Sequence, residues 1–127
     1  MPLARTLGIR TIEYAADRVV LSLDWKPELC TAYGMLHGGV IMALADSAGG
    51  ACALLNLPED ASGTTTIESK TNFLGAVRGG DVSATSTPLH LGRNTIVVET
   101  SVHDARGKLV AKTVQTQMVL RASSSIS

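Results

Sequence analysis

Between Arg18 and Trp25 the chain alternates, with Val19, Leu21, Leu23 and Trp25 on one face and Arg18, Val20, Ser22 and Asp24 on the other. A period of two predicts a strand with one buried face. A weaker alternation from Leu7 to Tyr14 predicts its partner, joined through a turn at Ala16-Asp17. Pro27 to Leu36 reads as loop. From Gly39 to Leu55 the period lengthens. At about 100° per residue, Val40, Ile41, Leu44, Ala48, Ala51, Cys52 and Leu55 form one continuous stripe, which predicts a helix. After a loop at Pro58 to Gly63, the patterns of Thr64 to Leu74, Asp81 to Leu91, Arg93 to His103 and Lys108 to Leu120 predict four strands. Gly79-Gly80 marks one turn between them and Asp104-Ala105-Arg106-Gly107 another, of the glycine-containing hairpin kind. Pro88 predicts a sheet edge or a bulge at its position. Two strands, one long helix and four strands with short turns predict an α+β fold, one helix packed on a long antiparallel sheet.

The helix has an unusual second face. Opposite the stripe stand Met42, Ala43, Gly49, Gly50 and Ala53, with one charge, Asp46, near the centre. A solvent-facing helix would carry Lys and Glu there, yet the chain from Pro27 to Ser69 holds no Lys or Arg. Two adjacent glycines each cost about 1 kcal/mol relative to alanine in a helix. Small residues permit close approach by another backbone, which offsets that cost. The helix is therefore expected to be covered on both sides, with Asp46 in the second contact region.

Composition narrows the function. The chain of 127 residues is expected to form one domain, residues 1–127, with a core over about 7–120 and a frayed tail at 121–127. Eleven basic and eleven acidic residues leave no net charge, which argues against a general nucleic-acid or acidic-membrane binder. Charged residues make up 17%, below the usual quarter, so part of the surface is expected to lie in a subunit interface. Cys30 and Cys52 have neither metal-ligand nor disulfide-framework spacing. With no signal-like amino end and no apolar run near the roughly 18 residues of a membrane span, a reduced, cytoplasmic setting is expected.

The stretch from Tyr33 to Ala48 carries the candidate chemistry. It delivers His37-Gly38-Gly39 to the start of the helix, where free N–H groups and the helix dipole favour a negatively charged oxygen. Glycine lets a carbonyl approach that backbone. Asp46 follows His37 by nine residues and lies roughly 12 Å along the axis from Gly38. To serve one substrate, the two need a ligand lying along the helix or a second subunit. A Cys30–His37 nucleophile lacks a third residue to orient it.

The His-Gly-Gly and Asp46-Ser47-Ala48 pattern, followed by the strand Thr64 to Leu74, resembles the hotdog-fold acyl-CoA thioesterases, nearest their phenylacetate-degradation (PaaI-like) branch. The resemblance runs from about Leu7 to Leu120. It implies a central helix wrapped by a curved antiparallel sheet of about six strands, dimers with a continuous sheet commonly paired into tetramers, and active sites between subunits. It implies hydrolysis of an acyl- or aryl-acyl-CoA thioester with no metal or redox cofactor, coenzyme A entering only as part of the substrate. Carried over, the catalytic carboxylate falls on Asp46, as general base for water or as nucleophile. The Gly38 N–H becomes the oxyanion donor, with Gly39 beside it on the substrate and His37 positioning the loop or contacting the carbonyl. A hydroxyl from the facing subunit that orients water falls on Thr66, with Thr65 as a one-residue alternative. Where relatives carry Asn or Gln six residues before the histidine, this chain has Thr31, which cannot present an amide donor. Arg78, Arg93, Asn94 and Thr95 are the candidates for the coenzyme A phosphates. Loss of turnover with retained binding would make this a non-catalytic acyl-CoA-binding hotdog protein. A dehydratase or hydratase on the same fold would need a different His and acidic arrangement, which is absent from the sequence.

Overall fold

The computed structural model describes residues 1–122. The chain begins with a helix, α1 (Pro2–Leu7), which the sequence pattern did not predict and which ends at the residue where a strand was expected to start. Proline in the first turn needs no N–H, and Gly8, at φ 75°, closes the helix in the left-handed conformation. The strand expected from Leu7 therefore starts only at Arg10, as β1 (Arg10–Ala15). β2 (Arg18–Asp24) follows, and two short 3₁₀ turns occupy the expected loop before α2 (Gly38–Leu54). β3 (Gly63–Phe73), β4 (Asp81–Leu91), β5 (Thr95–His103) and β6 (Leu109–Leu120) complete the chain within two residues of the predicted boundaries.

The six strands form one antiparallel sheet in the order β1-β2-β4-β5-β6-β3, so β1 and β3 are its edges. α2 packs on five of them, β2 to β6, which requires the sheet to curve around it. Leu44 at the helix centre is fully buried among Val19, Leu23, Val82, Ile96 and Val98 from the inner sheet face. β5 alternates as its sequence predicts, with Ile96, Val98, Thr100 and Val102 all buried. β2 departs from its pattern, because Val20 and Ser22 on the other face are buried as well. Ser22 is satisfied there by donating to the Val82 carbonyl at 2.9 Å while accepting from Arg10 at 3.3 Å.

The turns follow their local chemistry. Asp104 Oδ1 accepts from the N–H groups of Arg106 and Lys108, and Gly107 takes φ 84°, so the 104–107 hairpin turn forms as predicted. Pro88 lies beyond the part of β4 that pairs with β2, where its register with β5 also slips, so edge and bulge coincide. The expected frayed tail is held at its first residue by Arg121, which bonds Asp60, Asn94 and the Arg93 carbonyl; residues 123–127 lie outside the described residues.

The helix is buried over a wider arc than its apolar stripe. Gly49 and Ala53, assigned by periodicity to the second face opposite the stripe, pack against the sheet, while on that face Met42 and Asp46 are exposed in the single chain and Gly50 has open space. What approaches Gly49 is the Gln115 side chain of β6 rather than another backbone. Truncation of Leu44 to alanine leaves a cavity that the rigid strand layer cannot close. We expect it to lower unfolding free energy by about 3 kcal/mol in urea titrations at fixed protein concentration.

Candidate active site

The loop before α2 is pinned at both ends. Thr31 N–H bonds the Met35 carbonyl at 2.8 Å, Leu36 N–H bonds Val77 at 2.8 Å, and His37 N–H bonds Leu29 at 2.9 Å. These bonds aim His37-Gly38-Gly39 into the helix. His37 is the N-cap, its Nδ1 accepting from Gly39 N–H at 2.7 Å, so the ring proton sits on Nε2. The two glycines are needed for space. A Cβ on Gly39 would lie 2.9 Å from His37 Nδ1, and one on Gly38 3.2 Å from the Phe73 ring. The Gly39 N–H is thus committed to His37, whereas Gly38 N–H has no acceptor among the described residues. The donor nominated from the sequence, Gly38, is therefore free, while Gly39, nominated beside it on the substrate, is not.

Two turns further along α2, Asp46 is held from the sheet. Its Oδ1 accepts from Thr66 Oγ1 at 3.0 Å and from Gln115 Nε2 at 3.1 Å. Gln117 Nε2 donates to Thr66 Oγ1 at 2.6 Å, and Thr64 Oγ1 donates to Gln117 Oε1 at 3.1 Å. The network therefore runs from β6 through β3 to one oxygen of the carboxylate. Oδ2 has no partner among the described residues. Thr66 was expected to reach the site from a facing subunit. It instead bonds Asp46 of its own chain, because β3 lies beside α2 in the same protomer. Thr65, the one-residue alternative, makes no hydrogen bond to Asp46, though it lines the cleft in front of that carboxylate.

Asp46 opens onto a cleft of about 480 Å³. Its walls come from both sheet edges: Tyr14 of β1 on one side and Thr64 to Thr66 of β3 on the other, with Asp46, Gly50 and Leu54 along the floor. Curvature of the sheet brings the two edges to either side of the open helix face.

The remaining nominated residues lie elsewhere. Thr31 is exposed in the pinned loop. Arg78 lines a separate cleft with Gly80 and Arg106, next to the Val77 carbonyl that anchors Leu36. Arg93 and Asn94 precede β5, which Thr95 begins, and this turn is clamped by Arg121. Arg121 Nη1 donates to Asn94 Oδ1 at 3.3 Å, Nη2 donates to the Arg93 carbonyl at 2.9 Å, and Nε pairs with Asp60 at 2.8 Å. The hydrogen bond from Arg121 holds the Asp60 carboxyl below the usual carboxylate range. Cys30 donates to the Lys26 carbonyl, and burial, with Asp17 adding to it, pushes the Cys52 thiol up. Among the described residues, no helix is long and apolar enough to cross a membrane and no three His, Cys, Asp or Glu are grouped to hold a metal ion.

Gln115, Gln117, Tyr14 and Arg121 were missed from sequence. For the glutamines a signal existed. On β6, Thr113, Gln115 and Gln117 alternate with Lys112, Val114, Thr116 and Met118, and hydropathy would turn Val114 and Met118 inward. The structure does the reverse, burying both glutamines and leaving Val114 and Met118 more than a third exposed.

A long helix wrapped by a curved six-stranded antiparallel sheet is the hotdog fold, and its open helix face carries a polar site. The chain belongs to the thioesterase superfamily, whose family model matches residues 33–111. A protein of Saccharolobus solfataricus, named only provisionally as an esterase, is 36% identical over 115 residues, covering 91% of this chain and 81% of that one. The 1,4-dihydroxy-2-naphthoyl-CoA hydrolase of Listeria monocytogenes is 30% identical over 110 residues, covering 87% and 89%. The crystal structure of a thioesterase from Haemophilus influenzae superposes with a TM-score of 0.88 at 29% identity, covering 94% and 82%.

Replacing Thr66 by valine keeps the shape of β3 but strands the buried Gln117 amide and removes one donor from Asp46. We expect a loss of roughly 1–3 kcal/mol in urea unfolding, the range for orphaning a buried donor.

Proposed function

We propose that this chain hydrolyses an acyl-CoA thioester to the free acid and coenzyme A. The observation that carries the proposal is the Asp46 carboxylate, held through Oδ1 alone in a cleft, with Oδ2 left without a protein partner. As general base, Asp46 takes a proton from water while the water oxygen attacks the thioester carbonyl carbon. The C–S bond then breaks and the thiolate is protonated as it leaves. As nucleophile, Oδ2 forms an anhydride with loss of the thiol, and water cleaves that anhydride. The unpaired Gly38 N–H stabilises the carbonyl oxygen as it becomes an oxyanion, with His37 keeping the loop in register. Both routes need Gly38 and Asp46 on one carbonyl, although the helix rise separates them by roughly 12 Å within a chain.

A second copy of the chain removes that difficulty. β3 is an eleven-residue edge strand with an unpaired side, flanked by exposed Ile67, Phe73 and Leu74, the kind of edge that invites another strand. Pairing there brings the Gly38 end of one protomer toward the Asp46 cleft of the other, and the exposed Val114 and Met118 offer a surface for pairing such dimers into a tetramer. Sedimentation equilibrium is expected to report a dimer or tetramer; a monomer at micromolar concentration that still hydrolyses thioesters overturns this assembly.

For the substrate, the aromatic acyl-CoA named for the Listeria relative makes aryl- and aryl-acetyl-CoA thioesters the first to test, beside medium-chain ones. Arg78, Arg93, Asn94 and Thr95 are the side chains offered to the coenzyme A phosphates, in a cytoplasmic setting where acyl-CoA is available. The test is steady-state thiol release across such a panel. Asp46→Asn is expected to lower kcat by at least about a thousandfold while acyl-CoA still binds. A wild-type protein that binds the panel without releasing thiol is a non-catalytic acyl-CoA-binding protein. An Asp46→Asn variant as fast as the parent removes Asp46 from the mechanism.

A further inference from the structure

Gln115 sits beside Asp46 at an energetic cost. It is fully buried on β6, and its Oε1 has no hydrogen-bond partner among the described residues. An orphaned buried acceptor is destabilising, and an apolar side chain of similar length would avoid the penalty. The helix yields to it as well. A Cβ at Gly49 would lie 2.1 Å from that same Oε1, so the amide can occupy its place only over a residue without a side chain. Glycine in a helix interior is itself unfavourable. Two unfavourable features thus meet at one point, and among the described residues the one side-chain hydrogen bond they secure is Gln115 Nε2 to Asp46 Oδ1. That partner also fixes the amide's orientation, since a flipped amide would set Oε1 against the carboxylate oxygen.

We infer that Gln115 is a positioning residue for Asp46, and that Gly49 is glycine in order to admit it. Together with Thr66, Gln115 occupies Oδ1 and fixes the carboxylate plane, so Oδ2 is the oxygen presented to the cleft. This rests on the reading of Asp46 as the reacting carboxylate. Gln115 lies beyond residues 33–111, the part of the chain that the family model covers, so the match says nothing about its role.

The test uses the full chain, an acyl-CoA substrate it turns over, and thermal unfolding alongside. Gln115→Met keeps the length of the side chain and removes both donor and orphaned acceptor. It is expected to lower kcat about tenfold to a hundredfold, as for loss of a hydrogen bond to a charged group, with KM within about twofold and Tm unchanged or higher. Gly49→Ala is expected to reproduce the kcat loss by pushing the amide off Asp46. In a Gln115→Ala background, where no amide remains to be displaced, Gly49→Ala should change kcat by less than about twofold. A folded Gln115→Met with kcat within about twofold of the parent overturns the inference. So does a Gly49→Ala loss that persists undiminished without Gln115, or loss of stability and activity in parallel, either of which makes Gln115 a packing residue. Asp46→Asn run in parallel separates the two ideas: if it is inactive while Gln115→Met is fast, Asp46 keeps its role and Gln115 loses its own. If it is fully active, the reading of Asp46 fails first.

Discussion

A carboxylate on the exposed face of a helix is ordinarily free to rotate and to solvate both oxygens. Here the sheet prevents that by turning polar side chains inward over one half of its width. Thr64 and Thr66 on β3 and Gln115 and Gln117 on β6 form a connected set that ends on Asp46 Oδ1. The other half of the inner face, from β2, β4 and β5, is mostly apolar and carries the core under Leu44, with the buried Ser86 and Thr100 hydroxyls hydrogen-bonded to each other. The same sheet therefore stabilises the fold at one end and presents a directional hydrogen-bond array at the other. Buried polar groups of this kind are tolerable when their donors and acceptors find each other, and among the described residues all but Gln115 Oε1 do.

The helix start follows similar logic with backbone groups. An N-cap histidine satisfies one of the orphan N–H groups, and the adjacent one is left open beside the Phe73 ring. Gly38 N–H and Asp46 Oδ2 are thus left without a partner among the described residues, while Thr64, Thr66 and Gln117 around Asp46 are paired.

The inverted half-sheet also accounts for the molecule's outer surface. With glutamines and threonines facing the helix, the alternation of β6 leaves Val114 and Met118 facing out, Ile67 is exposed at the β3 bulge, and the long β3 edge stays unpaired. A low fraction of charged residues is consistent with such a surface being shared. The polar interior and the apolar exterior of this region have one cause, the register of β3 and β6.

Local pattern was sufficient for much of this protein. The period change at Gly39, the glycine turns at Gly80 and Gly107, the Asp104 hairpin and the alternation of β5 each depend on neighbours within a few residues, and so they could be read along the chain. Asp46 was legible as a lone charge on a small-residue face, and His37-Gly38 as a helix start. α1 was not, because Pro2 and Gly8 bracket too short a segment for periodicity to register. Nor were Gln115 and Gln117, whose strand reads with the opposite face inward, nor the contact of Thr66 with Asp46 in its own chain. Those depend on the pairing of β3 with β6 and on sheet curvature, which join residues about 20 to 70 positions apart. The sequence by itself determined the six strands, the long helix and the place of Asp46 on that helix. Tertiary structure alone decided which oxygen of that acid is held, because a register cannot be inferred from hydropathy when the favourable hydrogen bonds lie on the polar face.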